Sequence, residues 1–161
     1  RVCHPGPTLG FSLVEVRKKL KPEFAALSGR QIAELKRSGR IVEDRLEIPR
    51  LAFCSDSAIG SFLDRDHVRN AEVLIFECTF FEPEHLERAR QGRHTHIDDL
   101  PQLFERVRSP HVVLMHMSRR TGIGAAKRYL RKLLKPVDLE RLTLFMDLPP
   151  QRRSRQADEE A

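Results

Sequence analysis

The chain has 161 residues, 40% of them hydrophobic, and 29 Lys and Arg against 23 Asp and Glu, a formal net charge of +6. That length suits a single domain with a substantial core, whereas the longest apolar runs fall well short of the about 18 residues a membrane-spanning helix needs, and no signal-peptide pattern opens the chain. A soluble, cytoplasmic protein with no membrane partner is expected, and the basic excess admits a polyanion, although one Tyr and no Trp leave little for base stacking.

In chain order, RVCH at the start reads as the end of an apolar strand, so the chain is expected to begin inside a larger protein. FSLVEV (11–16) is a first strand, rich in β-branched and aromatic residues. EFAALSGRQIAELKRSG (23–39) reads as a helix carrying Phe24, Leu27, Ile32 and Leu35 and stopping at Gly39. Strands follow at LAFC (51–54) and VLIFECTF (73–80), then a helix at IDDLPQLFERV (97–107) with Ile97, Leu100, Phe104 and Val107 on one face. VVLMHM (112–117), the basic helical run IGAAKRYLRKLLK (123–135) and LTLFMD (142–147) complete the pattern. Strands alternating with helices predict an α/β layered domain over residues 1–148, its central strands covered on both sides. Residues 149–161 lack any apolar period and are expected to be a disordered tail. Cys3, Cys54 and Cys78 sit singly in apolar surroundings and read as reduced core thiols, with neither disulfide nor zinc-clip spacing.

Chemistry in layered α/β folds concentrates where strands end, because a rigid sheet holds the loops there. His4 stands before the first strand, Asp56 follows the second, Glu77 and Thr79 lie at the third, and His116, Ser118, Arg119 and Arg120 close the fourth. Each has a bland alternative: Asp56 between serines can cap a helix, and His116 can be a hydrogen-bonded core histidine. Glu77 is harder to set aside, since a carboxylate on an apolar strand costs several kcal/mol unless it is paired. His67, His85 and His111 read as surface residues. RHTHIDDL (93–100) contains a His-x-His-x-Asp string of the kind that supplies half a dinuclear metal site.

Taken together and in order, these residues resemble the C-terminal half of ribonuclease Z, the tRNA 3′-end processing branch of the metallo-β-lactamase fold. The resemblance runs from His4 to Asp147. It rests on His4 with its short loop to Gly10-Phe11, and on an apolar strand running into Ser55-Asp56-Ser57 where the family has Gly-Asp-Thr. It rests further on Phe76-Glu77-Cys78-Thr79 for His-Glu-Ala-Thr, on Arg93-His94-Thr95-His96 for Gly-His-Ser-Thr, and on His116-Met117-Ser118-Arg119-Arg120 for His-x-Ser-x-Arg. The resemblance implies half of an αββα sandwich and a zinc-dependent hydrolase that cuts pre-tRNA endonucleolytically with a hydroxide held by two zinc ions, manganese being an alternative metal. His4 and His116 would be ligands and Asp56 the bridge between the ions. His94 would be the general acid, with Glu77 holding its other nitrogen. Thr79 and Ser118 would support the arrangement, Arg119 or Arg120 would meet phosphate, and the complete enzyme would be a homodimer. Aligned this way, HTHID is not the metal half-motif: that motif belongs upstream of His4 and is absent, so the isolated chain is expected to bind zinc poorly and to be inactive. His96 becomes a bystander or a second proton shuttle. Two other readings stay open: a hydrolase of a small ester or cyclic nucleotide on the same fold, and a non-catalytic nucleic-acid-binding module built on the basic run.

Overall fold

The computed structural model describes residues 2–4, 6–118 and 120–147. Five strands form one mixed sheet in sequential order: β1 (Phe11–Leu20), β2 (Glu43–Phe53), β3 (Val73–Glu77), β4 (His111–Met115) and β5 (Leu142–Leu144). β1 pairs antiparallel with β2, and the other three pairings are parallel. Parallel neighbours joined in sequence need crossovers of one hand, so the connecting helices all fall on one face of the sheet. These are α2 (Asp66–Arg69), α3 (Leu86–Gly92), α4 (Leu100–Arg106) and α5 (Ile123–Leu133), with the short α6 (Pro136–Glu140) leading into β5.

Registry divides the sheet into two unlike faces. Ala52, Leu74, Phe76, Val112, Leu114 and Leu144 share the helix side and are buried, packing with Leu63, Leu100, Leu103, Phe104, Ala126 and Leu130. Each large side chain so buried stabilises the fold by about 1.5–3 kcal/mol. The alternate residues Phe11, Leu13, Leu51, Phe53, Val73, Ile75, Val113 and Met115 share the opposite face, where Phe11 and Leu13 are exposed and the others half-buried. The expectation of cover on both sides is therefore corrected. Hydrophobic runs signal a doubly buried strand, but strand order puts the helices that join the parallel strands on one side.

Element limits differ from the sequence reading where long-range pairing decides them. β2 starts eight residues earlier than expected because β1 templates it; at its middle Arg50 is an extra residue beside Pro49, and it reaches Glu15 on β1 and Glu72 at 2.6 Å. β3 ends at Glu77. The predicted helix over 23–39 is broken: a short 3-10 turn over Pro22–Phe24 buries Phe24, and α1 (Gly29–Arg37) starts afresh from a Ser28–Gln31 capping box with no buried residue of its own. Gly39 follows its end in the left-handed conformation, φ 83°. All three cysteines are free. Burial pushes the Cys54 thiol up to about 12 and Cys78 up as well, which keeps both inert. Among the described residues no helix is long and apolar enough to cross a membrane. Arg119 and the predicted tail lie outside the described residues.

Candidate metal centre

The carboxyl ends of β2, β3 and β4 meet at one edge of the sheet, and the antiparallel pairing of Phe11 with Phe53 brings the start of β1, and so His4, to the same edge. Asp56 follows β2, Glu77 ends β3, His116 follows β4, and His94 arrives from the loop after α3. Asp56 caps no helix, since the next helical turn begins at Ser61 with Gly60 as its cap.

Glu77 is fully buried. Its Oε1 accepts the backbone N–H of Ser57 at 3.1 Å, that of Thr95 at 3.0 Å and Nδ1–H of His94 at 2.9 Å, while Oε2 accepts the Thr79 hydroxyl at 2.7 Å. Four donors to one carboxylate offset the desolvation that made this residue demand a partner. Proton bookkeeping then settles the neighbours. Thr79 has one hydroxyl proton and gives it to Glu77, so at 2.8 Å His116 Nδ1 must be the donor to Thr79 Oγ1. His94 and His116 therefore both carry their proton on Nδ1 and present a bare Nε2. This is the tautomer a metal ligand needs, fixed by the hydrogen bond on the other nitrogen.

The two rings stack at 5.8 Å between centroids, and Asp56 Oδ1 lies 3.5 Å from His116 Nδ1. Asp56, His94 and His116 each offer a ligand atom within 4.8 Å of the others, a set of nitrogen and carboxylate donors that can hold a metal ion. His4 is a neighbour, edge-on to His94 at 5.5 Å, but stands outside that set. Its Nδ1 accepts the N–H of Gly6 at 3.1 Å and meets the Thr8 hydroxyl at 2.9 Å, so ligation through Nε2 requires the proton to move to Nδ1 and point at Thr8. His116 adopts φ 60°, unusual for a non-glycine residue and of the kind that clusters at functional sites.

A cleft of about 750 Å³ opens in front of His94 and His116, with Phe80 and Arg88 on one wall and Ser118 and Arg120 on the other. Ser118 donates its N–H to the Thr79 carbonyl at 3.0 Å and accepts the Arg120 N–H on Oγ at 3.3 Å, which ties the loop after β4 to that after β3. Arg120 is exposed at the rim.

Several residues that hold this arrangement carried no assignment in the sequence reading. Thr95 is fully buried and binds Glu77 through its N–H and the Ser57 carbonyl through its hydroxyl at 2.7 Å. Glu82 accepts the single proton of the buried Thr121 hydroxyl, which lies 2.6 and 2.8 Å from its two carboxylate oxygens. Asp99 accepts the His96 N–H and pairs with both terminal nitrogens of Arg90. Counting the donors that a buried Glu77 requires would have pointed to Thr95; nothing local marks the others. His96 is buried and spends both nitrogens structurally: Nε2–H donates to the Glu82 carbonyl at 3.0 Å and Nδ1 accepts the Asp98 amide at 3.2 Å. It caps the turn that enters α4 and turns no nitrogen to the cleft. His67 and His111 are exposed as expected, but His85 is half-buried against Phe80 and Glu82.

A buried carboxylate orienting two imidazoles beside an aspartate, at the carboxyl ends of parallel strands and the mouth of a cationic cleft, defines the class: an α/β chain with a His/Asp site able to hold a metal. No protein-family model matches the chain. It is similar to the chloroplastic tRNase Z TRZ2 of Arabidopsis thaliana, 34% identical over 145 residues that make up 88% of this chain and 41% of that protein. To tRNase Z TRZ1 of the same plant it is 29% identical over 141 residues, 86% of this chain and 50% of the relative. The chain is thus ribonuclease Z-like and spans about two fifths to half the length of these relatives. Among solved structures, the metallo-β-lactamase fold protein YhfI of Bacillus subtilis aligns over 81% of this chain and 45% of its own, with 11% identity and a TM-score of 0.46. The short form of human tRNase Z aligns over 50% and 33%, with 20% identity and a TM-score of 0.38.

Proposed function

We propose that this chain carries one half of a metal-dependent phosphodiesterase centre of ribonuclease Z type, which cleaves pre-tRNA at its 3′ end when an upstream half completes the site. The observation that carries the proposal is the Glu77–His94 pair, a buried carboxylate on Nδ1 of a histidine that lines the cleft beside His116 and shares one cluster of donor atoms with Asp56 and His116. The exposed apolar face of the sheet is the surface on which a second sheet would close an αββα sandwich.

Asp56 and His116, with His4 once its proton sits on Nδ1, would hold the metal; zinc suits these nitrogen and carboxylate donors. A bound divalent ion would supply a nucleophile at neutral pH and offset charge on the reacting phosphate. The chain's own residues do the remaining work. Arg120 at the rim attracts the phosphate, Thr79 fixes the His116 ring, and His94, held through Nδ1–H by Glu77, takes up a solvent proton on its bare Nε2 and gives it to the leaving 3′-oxygen. A homodimer and a cytoplasmic location belong to the same proposal.

The test uses the protein with its upstream half, a pre-tRNA cleavage assay and metal analysis. His94→Ala is expected to lower turnover by about 10²-fold or more while metal content is kept. Loss of metal in that variant would make His94 a ligand and overturn its role as proton donor. Hydrolysis of small phosphodiesters without cleavage of pre-tRNA would favour the small-ester reading.

A further inference from the structure

The segment Ile123–Lys135 contains Lys127, Arg128, Arg131, Lys132 and Lys135 and no acidic residue, against an excess of six positive charges in the whole chain. α5 turns Ala126 and Leu130 into the core, and Leu134 follows them. At about 100° per residue, Arg128, Arg131 and Lys132 fall within roughly a third of the helix circumference, opposite that buried side, and Lys135 follows the helix end. All four are exposed, and among the described residues none of their side chains has an ion pair or hydrogen bond. Like charges three and four residues apart repel, so the helix carries a cost that a bound polyanion would relieve.

The position of this ridge sets it apart from an ordinary solvated face. Arg120, on the cleft wall, is separated from Ile123 at the start of α5 by two residues. The flank of α5 bearing Tyr129 and Lys132 borders a pocket shared with Phe81, Pro83, His96 and Asp98, which follow the same two loops that bring Phe80 and His94 to the cleft. The helix thus starts beside the cleft wall, and its 11 residues span about 16 Å, enough to face several successive phosphates of one strand. The ridge has no apolar centre, which disfavours a protein interface: Tyr129 and Leu133 stand only at its edge.

The geometry points to α5 as a track for the RNA backbone beyond the cleavage site, with Arg128, Arg131 and Lys132 each contacting a phosphate. This rests on the RNA reading of the site and adds where the rest of the substrate lies. The contacts are with phosphate and so independent of base sequence.

The test is the triple variant Arg128→Gln, Arg131→Gln, Lys132→Gln of the protein with its upstream half. Pre-tRNA binding is measured across a salt series, alongside hydrolysis of bis(p-nitrophenyl) phosphate, which needs the cleft alone. The slope of log affinity against log salt is expected to fall by about 2 for three lost phosphate contacts. The KM for pre-tRNA should rise about tenfold or more, with small-ester turnover unchanged. The single variant Arg128→Gln should lower the slope by about 0.7–0.9 and covers the case in which the triple variant fails to fold. An unchanged slope with small-ester turnover intact overturns the proposal and leaves α5 to an acidic protein partner. A wild-type protein that hydrolyses the small ester but binds no RNA overturns the RNA reading itself, and the α5 track with it.

Discussion

Replacing Glu77 by Gln changes one charge in a fully buried site and almost no volume. The amide oxygen keeps the N–H groups of Ser57 and Thr95 and the Nδ1–H of His94, but the amide nitrogen now occupies the place of Oε2 and donates to Thr79 Oγ1, where the carboxylate accepted. The Thr79 hydroxyl then turns its proton to His116 Nδ1, and the His116 proton moves to Nε2, the nitrogen needed for a ligand. Each retained bond falls from the charge-assisted class, about 1.5–3 kcal/mol, to the ordinary one near 1 kcal/mol. Removing a buried charge offsets much of that, so stability should change by no more than about 1–2 kcal/mol. Function should suffer more: about 10–100-fold in metal affinity, from loss of the group that orients the ligand, and about 10²-fold or more in turnover. Glu77→Ala differs in kind, because it strands two buried N–H groups and the Thr79 hydroxyl at about 1–3 kcal/mol each, a large part of a typical domain's stability. Urea unfolding, metal titration and phosphodiester cleavage in the protein with its upstream half separate these effects. A Gln variant with wild-type metal affinity and turnover would refute the relay, and an Ala variant as stable as wild type would refute the burial argument.

Arg93 sits in the left-handed region, φ 51°, exposed at the end of α3. Arg93→Gly should stabilise the chain by about 1 kcal/mol, or about 2–4 °C in a thermal melt, and an unchanged or lower melting temperature would show that Arg93 makes a compensating contact. Glu82 gives a pH signature: burial works to raise its pKa, but the Thr121 hydroxyl and then His85 outweigh that and hold it below its ordinary 4.5. A depressed carboxylate stabilises the fold fully above that ordinary value and loses the contribution as pH falls through the folded one. The stability gap between wild type and Thr121→Val should thus be largest above about pH 5 and shrink below pH 4; a gap that does not vary with pH would exclude the hydrogen bond as its source.

Local pattern was enough for the five strands and for α4 and α5, because alternating or periodic apolar residues report burial wherever the element lies. It failed where pairing or capping decided. Glu43–Arg50 is mostly polar and becomes strand only because β1 lies alongside, and the periodic run from Glu23 to Gly39 is cut by Ser28, which bonds Gln31 and restarts the helix. The unlike faces of the sheet were also beyond local pattern, since half-buried Ile75 and Val113 read the same as buried Leu74 and Val112.

At the site, sequence alone determined which residue types stand at each strand end and that Glu77, on an apolar strand, must have a partner; desolvation imposes that demand whatever the fold. Only the tertiary structure decided who answers it. Ser57, Thr79, His94 and Thr95 converge on one carboxylate from three loops up to 38 positions apart. It also decided that His94 and His116 share one tautomer through Glu77, that His4 stands apart from the Asp56 set, and that His96, in a string of ligand types, is a buried cap. A histidine's role depends on what each of its two nitrogens meets, and those partners come from distant parts of the chain.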